Sequence, residues 1–242
     1  DGRPVDRPAV CFYEIDGFED MEDKDPYNIY SDPSWHPLIE LARDESDRIA
    51  MVGSPFERES CALDKCRETK TWEEGDSRFT ETNVHIGDRT FTQLTRRDRA
   101  VKTVWTIKHF LDDADDLRAW LELPPDTDPG AFQAEKIIDV EERLGDSGIV
   151  MLGTADPICI LAQLFDMGEF TIVAMTEQDL VHRALRRFFD EIMAKVEIVA
   201  AALPGRLWRI VGPEYATPPY LPPNLFHDYV TDYVKPMVEA IH

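Results

Sequence analysis

Acids and a phenol that trail short apolar runs are the side chains of this sequence best placed to do chemistry. Leu207–Val211 reads as a short apolar strand, Gly212 and Pro213 break it, and Glu214 and Tyr215 follow at once. Ligands of α/β proteins gather at strand C-terminal ends, where loops vary while the strands stay rigid. A carboxylate beside a phenol can pass a proton, so Glu214 and Tyr215 are candidate catalytic residues. Glu14 and Asp16 stand at the end of another apolar run, Ala9–Ile15, and are candidates for the same rim, where they would hold a cation, a hydroxyl or a proton. Asp156, between Gly153 and Pro157, is either a substrate contact or the N-cap of the helix that follows. Arg96, Arg97 and Arg99 form a basic knot in an acidic chain. Arg97 is the candidate anion contact, against the plainer reading of a charged hairpin turn.

Other chemistries lack their residues. There is no Gly-rich phosphate loop, no Gly-x-Ser-x-Gly elbow and no His-Glu-x-x-His. Cys61 and Cys66, as Cys-x4-Cys without a nearby His, are a weak metal pair. Cys11 and Cys159 lie in apolar runs and read as core. The histidines, among them His85 and His109, carry no ligand spacing, and no residue of the chain is assigned to a metal.

The elements that must position these side chains follow from periodicity. Ala9–Ile15 reads as a buried strand, Trp35–Arg43 as a short helix, and Arg48–Val52 as a second strand stopped at Gly53-Ser54-Pro55. Strand, helix, strand favours parallel pairing. Phe79–Lys108 then alternates polar and apolar residues through three runs separated by Gly87-Asp88 and by the arginine-rich turn, an antiparallel meander inserted into a parallel pattern. Asp112–Glu122 and Ala131–Leu144 read as helices, Gly148–Leu152 as a third parallel strand, and Ile158–Phe165 as a helix. Gly168–Ala174 is apolar and of ambiguous type. Glu177–Leu203 is a long helix with Thr176 as its N-cap, Leu207–Val211 is the fourth strand, and Asn224–Ile241 is the last helix. Four parallel strands are about half of the eight that a (β/α)8 TIM-barrel needs. The expectation is one α/β domain over residues 1–242, an incomplete barrel with the 79–108 meander inserted.

The chain has 242 residues, 43% hydrophobic and 31% charged, with a net charge of −22. That charge opposes nucleic acid, whose binders displace phosphate counterions with basic surfaces, and it opposes an anionic membrane surface. No run nears the ~18 apolar residues of a membrane span. An anionic ligand would have to meet local arginines, because the global field repels it. The irregular cysteines suit a reducing cytoplasm. The Asp1-Gly-Arg-Pro start, without an apolar leader or a start methionine, reads as a chain that begins partway into a gene product.

Three segments resemble the uroporphyrinogen decarboxylase superfamily: Asp6-Arg-Pro-Ala-Val-Cys-Phe-Tyr-Glu14; Leu152-Gly-Thr-Ala-Asp-Pro-Ile-Cys159 with Leu164-Phe-Asp-Met-Gly168; and Gly212-Pro-Glu-Tyr-Ala-Thr-Pro-Pro-Tyr-Leu-Pro-Pro223 followed by Phe226 and Tyr233 to Pro236. The third is the most specific. The resemblance implies a (β/α)8 barrel with its site at the C-terminal mouth, and a small-molecule substrate. It implies either cofactor-free decarboxylation of tetrapyrrole acetate arms or methyl transfer, with zinc in the full-length protein and a corrinoid protein as partner. The decarboxylase branch carries an Arg-Gln-Ala-Gly-Arg loop where this chain has the acidic Tyr13-Glu-Ile-Asp-Gly-Phe-Glu-Asp20, and Glu214-Tyr215 replaces its aspartate–serine motif. A divergent or methyltransferase-like branch is therefore the closer likeness. In that branch the zinc ligands are a His-x-Cys and a later Cys, past the position of His242. The alternative, from another class, is a non-catalytic half-barrel or interaction module completed by a second chain, which makes a homodimer an expectation.

Overall fold

The structure, a computed structural model, describes residues 7–242 except 54 and 59. The Asp1–Pro4 start, Asp6 of the first family-like segment and Ser54 lie outside the described residues. In chain order the elements are α1 (His36–Glu45), β1 (Arg48–Gly53), β2 (Phe56–Glu57), α2 (Ala62–Lys65), β3 (Arg67–Glu74), β4 (Ser77–Ile86), β5 (Arg89–Asp98), β6 (Val104–Lys108) and α3 (Ala114–Trp120). They continue with β7 (Ala131–Phe132), α4 (Glu135–Leu144), β8 (Gly148–Ala155), α5 (Pro157–Ala162), α6 (Met167–Thr176), α7 (Gln178–Ala202), β9 (Leu207–Val211), α8 (Pro223–Phe226) and α9 (Asp232–Ile241). A π-type turn, His227–Thr231, joins α8 to α9, so the expected last helix is continuous with one irregular turn.

The fold is mixed α/β. β1, β8 and β9 form a parallel sheet in that order, and β3 to β6 form an antiparallel sheet in sequence order. Among the described residues there is no closed eight-stranded barrel. The parallel sheet has three strands rather than four, because Ala9–Ile15 is not a strand. Val10 is instead clamped at both backbone groups by Asp47: its N–H donates to Asp47 Oδ2 at 2.8 Å, and its carbonyl accepts from the Asp47 N–H at 2.7 Å. A turn closes just after it, Ile15 N–H to Phe12 O at 2.9 Å, so no ladder can form. Cys11 is accordingly exposed, contrary to its core assignment, whereas Cys159 is buried.

The antiparallel sheet has one strand more than periodicity shows. β3 reads Arg-Glu-Thr-Lys-Thr-Trp-Glu-Glu and is exposed almost throughout, so it carries no apolar alternation; its full-length pairing with β4 makes it a strand. The ambiguous 168–174 run is helical, opened by Asp166, whose side chain accepts from the Gly168 N–H. Thr176 ends α6 rather than capping α7.

Period-2 alternation sorts the parallel sheet into two faces. Ala50, Val150 and Leu152 point to one, where Ile137 and Leu144 of α4 and Val199 of α7 bury them. Ile149 and Leu207 belong to the other and are 54% and 44% exposed, and among the described residues no helix packs over these two. The largest core lies beyond α5 and α7. It unites Leu161, Phe170, Leu185 and Tyr229 with Val84 and Phe91 of the antiparallel sheet, and Phe91 meets Trp120 of α3 edge-on at 5.7 Å. Among the described residues no helix is long and apolar enough to cross a membrane.

Candidate functional site at the strand C-termini

β8 and β9 end side by side, Ala155 opposite Val211. The next residue after β8 is Asp156, whose N–H donates to Val211 O at 2.9 Å and so extends the parallel ladder by one bond. Its Oδ1 accepts from the Cys159 N–H at 2.8 Å, the N-cap bond of α5. The capping role read from sequence is therefore present, and Pro157 at the first helical position suits it. Asp156 has no exposed surface, and its Oδ2 has no hydrogen-bond partner.

A carboxylate shut away from water resists ionisation. Burial pushes the Asp156 carboxyl up to about 7, and the charge of Glu214 adds to the effect, while the bond from the Cys159 N–H opposes it. Such a group holds or releases a proton near neutrality, the property wanted in a general acid or base. Glu214 and Tyr215 sit on the 3-10 turn Pro213–Ala216 directly after β9, with Glu214 exposed and Tyr215 half-buried. Burial raises the Tyr215 phenol, and the charges of Cys159 and Glu214 add to that. The Cys159 thiol is pushed up to about 11, first by burial and then by Asp156 and Glu214, and it accepts a hydrogen bond from Gln163 Nε2 at 3.3 Å. It is a packed thiol rather than a nucleophile. Gly212 (φ +124°) permits this assembly: a Cβ there would lie 2.4 Å from Asp156 Oδ1.

Asp156, Glu214 and Tyr215 are thus brought together, and Asp16 and Arg97 are not. Asp16 lies at the opposite end of the sheet. Its backbone carbonyl accepts from Nε of Arg48, the first residue of β1, and Arg48 pairs with Gly148 at the start of β8. Gly148 and Ala155 are seven residues apart, about 23 Å along a strand. The expected shared rim for Asp16 and Glu214 is therefore corrected: with no strand over 9–15, nothing carries Asp16 to the C-terminal side. Its Oδ1 is taken up locally by the Phe18 N–H at 2.9 Å, and Phe18 is held between the guanidinium groups of Arg48 and Arg143, at 4.2 and 4.3 Å. Glu14 is exposed. Its neighbour Tyr13 reaches further and accepts from Arg209 Nη1 at 2.8 Å.

Arg97 belongs to another region. Its Nη2 donates to Tyr27 O at 2.5 Å, fastening the acidic 20–32 loop to β5. Arg78 reinforces that attachment through Asp25, at 3.0 and 3.2 Å, and lies 4.0 Å from the centre of the Tyr27 ring.

Sequence reasoning overlooked Gln163 and Arg209. The four-residue step from Cys159 to Gln163 on one helix face was the available signal for the first. Arg209 showed none, being a lone cation inside an apolar strand. Among the described residues no group of three or more His, Cys, Asp or Glu converges as metal ligands. The described residues do not fit a zinc centre. No family model, curated protein or solved structure matches this chain.

Proposed function

We propose that this chain carries part of a (β/α)8-type barrel related to the uroporphyrinogen decarboxylase superfamily, and that Asp156, Glu214 and Tyr215 form its acid–base group. The activity on this reading is decarboxylation or one-carbon transfer on a tetrapyrrole, corrinoid-linked or small methylated substrate, in the cytoplasm. One observation carries it: a wholly buried carboxyl, poised at about 7 and with one oxygen unpartnered, stands at the C-terminal end of a parallel strand beside a second acid and a phenol. Decarboxylation leaves an electron pair on carbon, and a carboxyl that keeps its proton near neutrality can supply the proton that carbon then takes. Helices on one face of the sheet and an open opposite face also support a barrel-like arrangement.

The test is an assay of the protein with a carboxylated porphyrinogen, following release of carbon dioxide, and in parallel with a methylated thiol and a corrinoid acceptor, following the corrinoid spectrum. Turnover in either assay that is lost in Asp156→Asn supports the reading. Turnover in neither, or turnover indifferent to that substitution, refutes it.

A second reading has its own support. Ile149 and Leu207 are exposed on the uncovered sheet face, so a half-barrel completed by another copy or another chain fits that face. Sedimentation equilibrium separates the two: a monomer across the micromolar range speaks against pairing.

A further inference from the structure

The register of the parallel sheet places Gly53 beside Gly153, and Gly153 beside Arg209. These three residues form one row across β1, β8 and β9 on the uncovered face. The row below it is Met51, Met151 and Leu207. Two adjacent glycines therefore leave a notch in the sheet next to a guanidinium. A Cβ added at Gly53 or at Gly153 would meet nothing within 4 Å, so the space above both is open. The concavity there holds about 340 Å³ and is lined by Met51, Gly53, Met151, Gly153 and Arg209 among others. It reaches Ala155 and Val211, the strand ends next to Asp156 and Gly212.

Arg209 is poorly satisfied. Its Nη1 donates to the Tyr13 hydroxyl at 2.8 Å, and the Tyr13 ring centre lies 5.8 Å from the guanidinium carbon. Its Nε is buried without a partner. Several other arginines are paired with acids, as in Arg58–Asp126, Arg187–Glu191 and Arg206–Glu141. Among the described residues Arg209 forms no ion pair. An unmatched guanidinium on an otherwise apolar sheet face is costly, and an acceptor brought by a ligand would offset that cost. In a chain of net charge −22, a carboxylate needs such a local cation to bind at all.

We infer that the Gly53–Gly153–Arg209 row is a binding site for the carboxylate of a small organic acid, the glycines giving it floor space and Arg209 its counter-charge. Tyr13 orients the guanidinium by accepting from Nη1, and Nη2, which among the described residues donates to no protein group, is left for the ligand. The inference deepens the reading of an acid–base group at the adjacent strand ends and rests on it for the site's purpose. The binding itself depends on Arg209 and the two glycines alone.

Isothermal titration of the full chain with succinate and benzoate, and with succinamide and benzamide as uncharged controls, tests this. At least one acid should bind saturably and its amide should not. Arg209→Gln should weaken that acid about tenfold to a hundredfold, as expected for a lost charged hydrogen bond. Gly153→Val keeps a good strand former and fills the notch, and should weaken binding at least as much; it decides the matter should Arg209→Gln lose its circular dichroism signature. Carboxylate binding is read without turnover, so a failure of the acid–base reading in the decarboxylation and methyl-transfer assays shows separately from a failure of this site. Absence of saturable binding of either acid up to about 10 mM, or equal binding by the Gly153→Val protein, overturns the site. So does equal binding by a folded Arg209→Gln protein.

Discussion

Gly212 closes directly over Asp156: a Cβ on this glycine would lie 2.4 Å from Asp156 Oδ1 and 2.1 Å from Cys159 Cβ. The two residues end or follow adjacent strands, and the glycine's φ of +124° lets the chain turn close enough to bury the carboxyl. The raised affinity of Asp156 for its proton is thus a consequence of what residue 212 lacks.

Gly212→Ala should be severely destabilising, by about 2–5 kcal/mol, because an unfavourable φ and a steric overlap with backbone-anchored atoms coincide. Gly153→Ala is the matched control, since its Cβ enters open space, and it should change stability by less than about 1 kcal/mol. Urea unfolding of the two variants checks the contrast.

Asp156 should make stability fall as pH rises. Its folded pKa, about 7, exceeds the ordinary 3.8, so between those values the folded state holds a proton that the unfolded state has lost. The stabilisation is fully present below about pH 4 and is lost progressively as pH rises through about 7. Asp156→Asn keeps the N-cap acceptor and removes the titration. The variant should show a flatter stability profile over this window, and should exceed the unmodified protein above pH 7 by an amount on the order of a few kcal/mol. Thermal midpoints from pH 4 to 8 measure this.

Cys159 should resist alkylation. Its thiol is buried and pushed up to about 11, so at pH 8 only on the order of 0.1% is thiolate, whereas Cys11 is exposed. Iodoacetamide followed by peptide mass spectrometry should label Cys11 within minutes and leave Cys159 unlabelled until denaturant is added.

The acidic 20–32 loop should detach from the antiparallel sheet when its arginine anchors are removed. Arg78 pairs with Asp25 at 3.0 Å with both side chains partly exposed, so that pair alone contributes at most about 1 kcal/mol. Tyr27 is fully buried beneath it. Arg78→Gln combined with Arg97→Gln should therefore speed hydrogen exchange across residues 20–32 and leave β1, β8 and β9 protected.

What the sequence determined by itself was local. Alternation marked β4, β5 and β6, and glycine or proline marked where β1 and β9 stop. The Asp156-Pro157 pair announced a helix start, because capping and turn chemistry act within a few residues. The polar β3 was invisible for the same reason: its strand character comes from pairing with β4, not from its own pattern. Only the tertiary structure decided which acids share a rim. Asp16 is drawn to the far end of the sheet by Arg48, 32 residues away, while Tyr13 is tied to Arg209 across 196 residues. Burial of Asp156 and the alignment of Gly53, Gly153 and Arg209 arise from strand register, and register is set by contacts between segments that propensity cannot see.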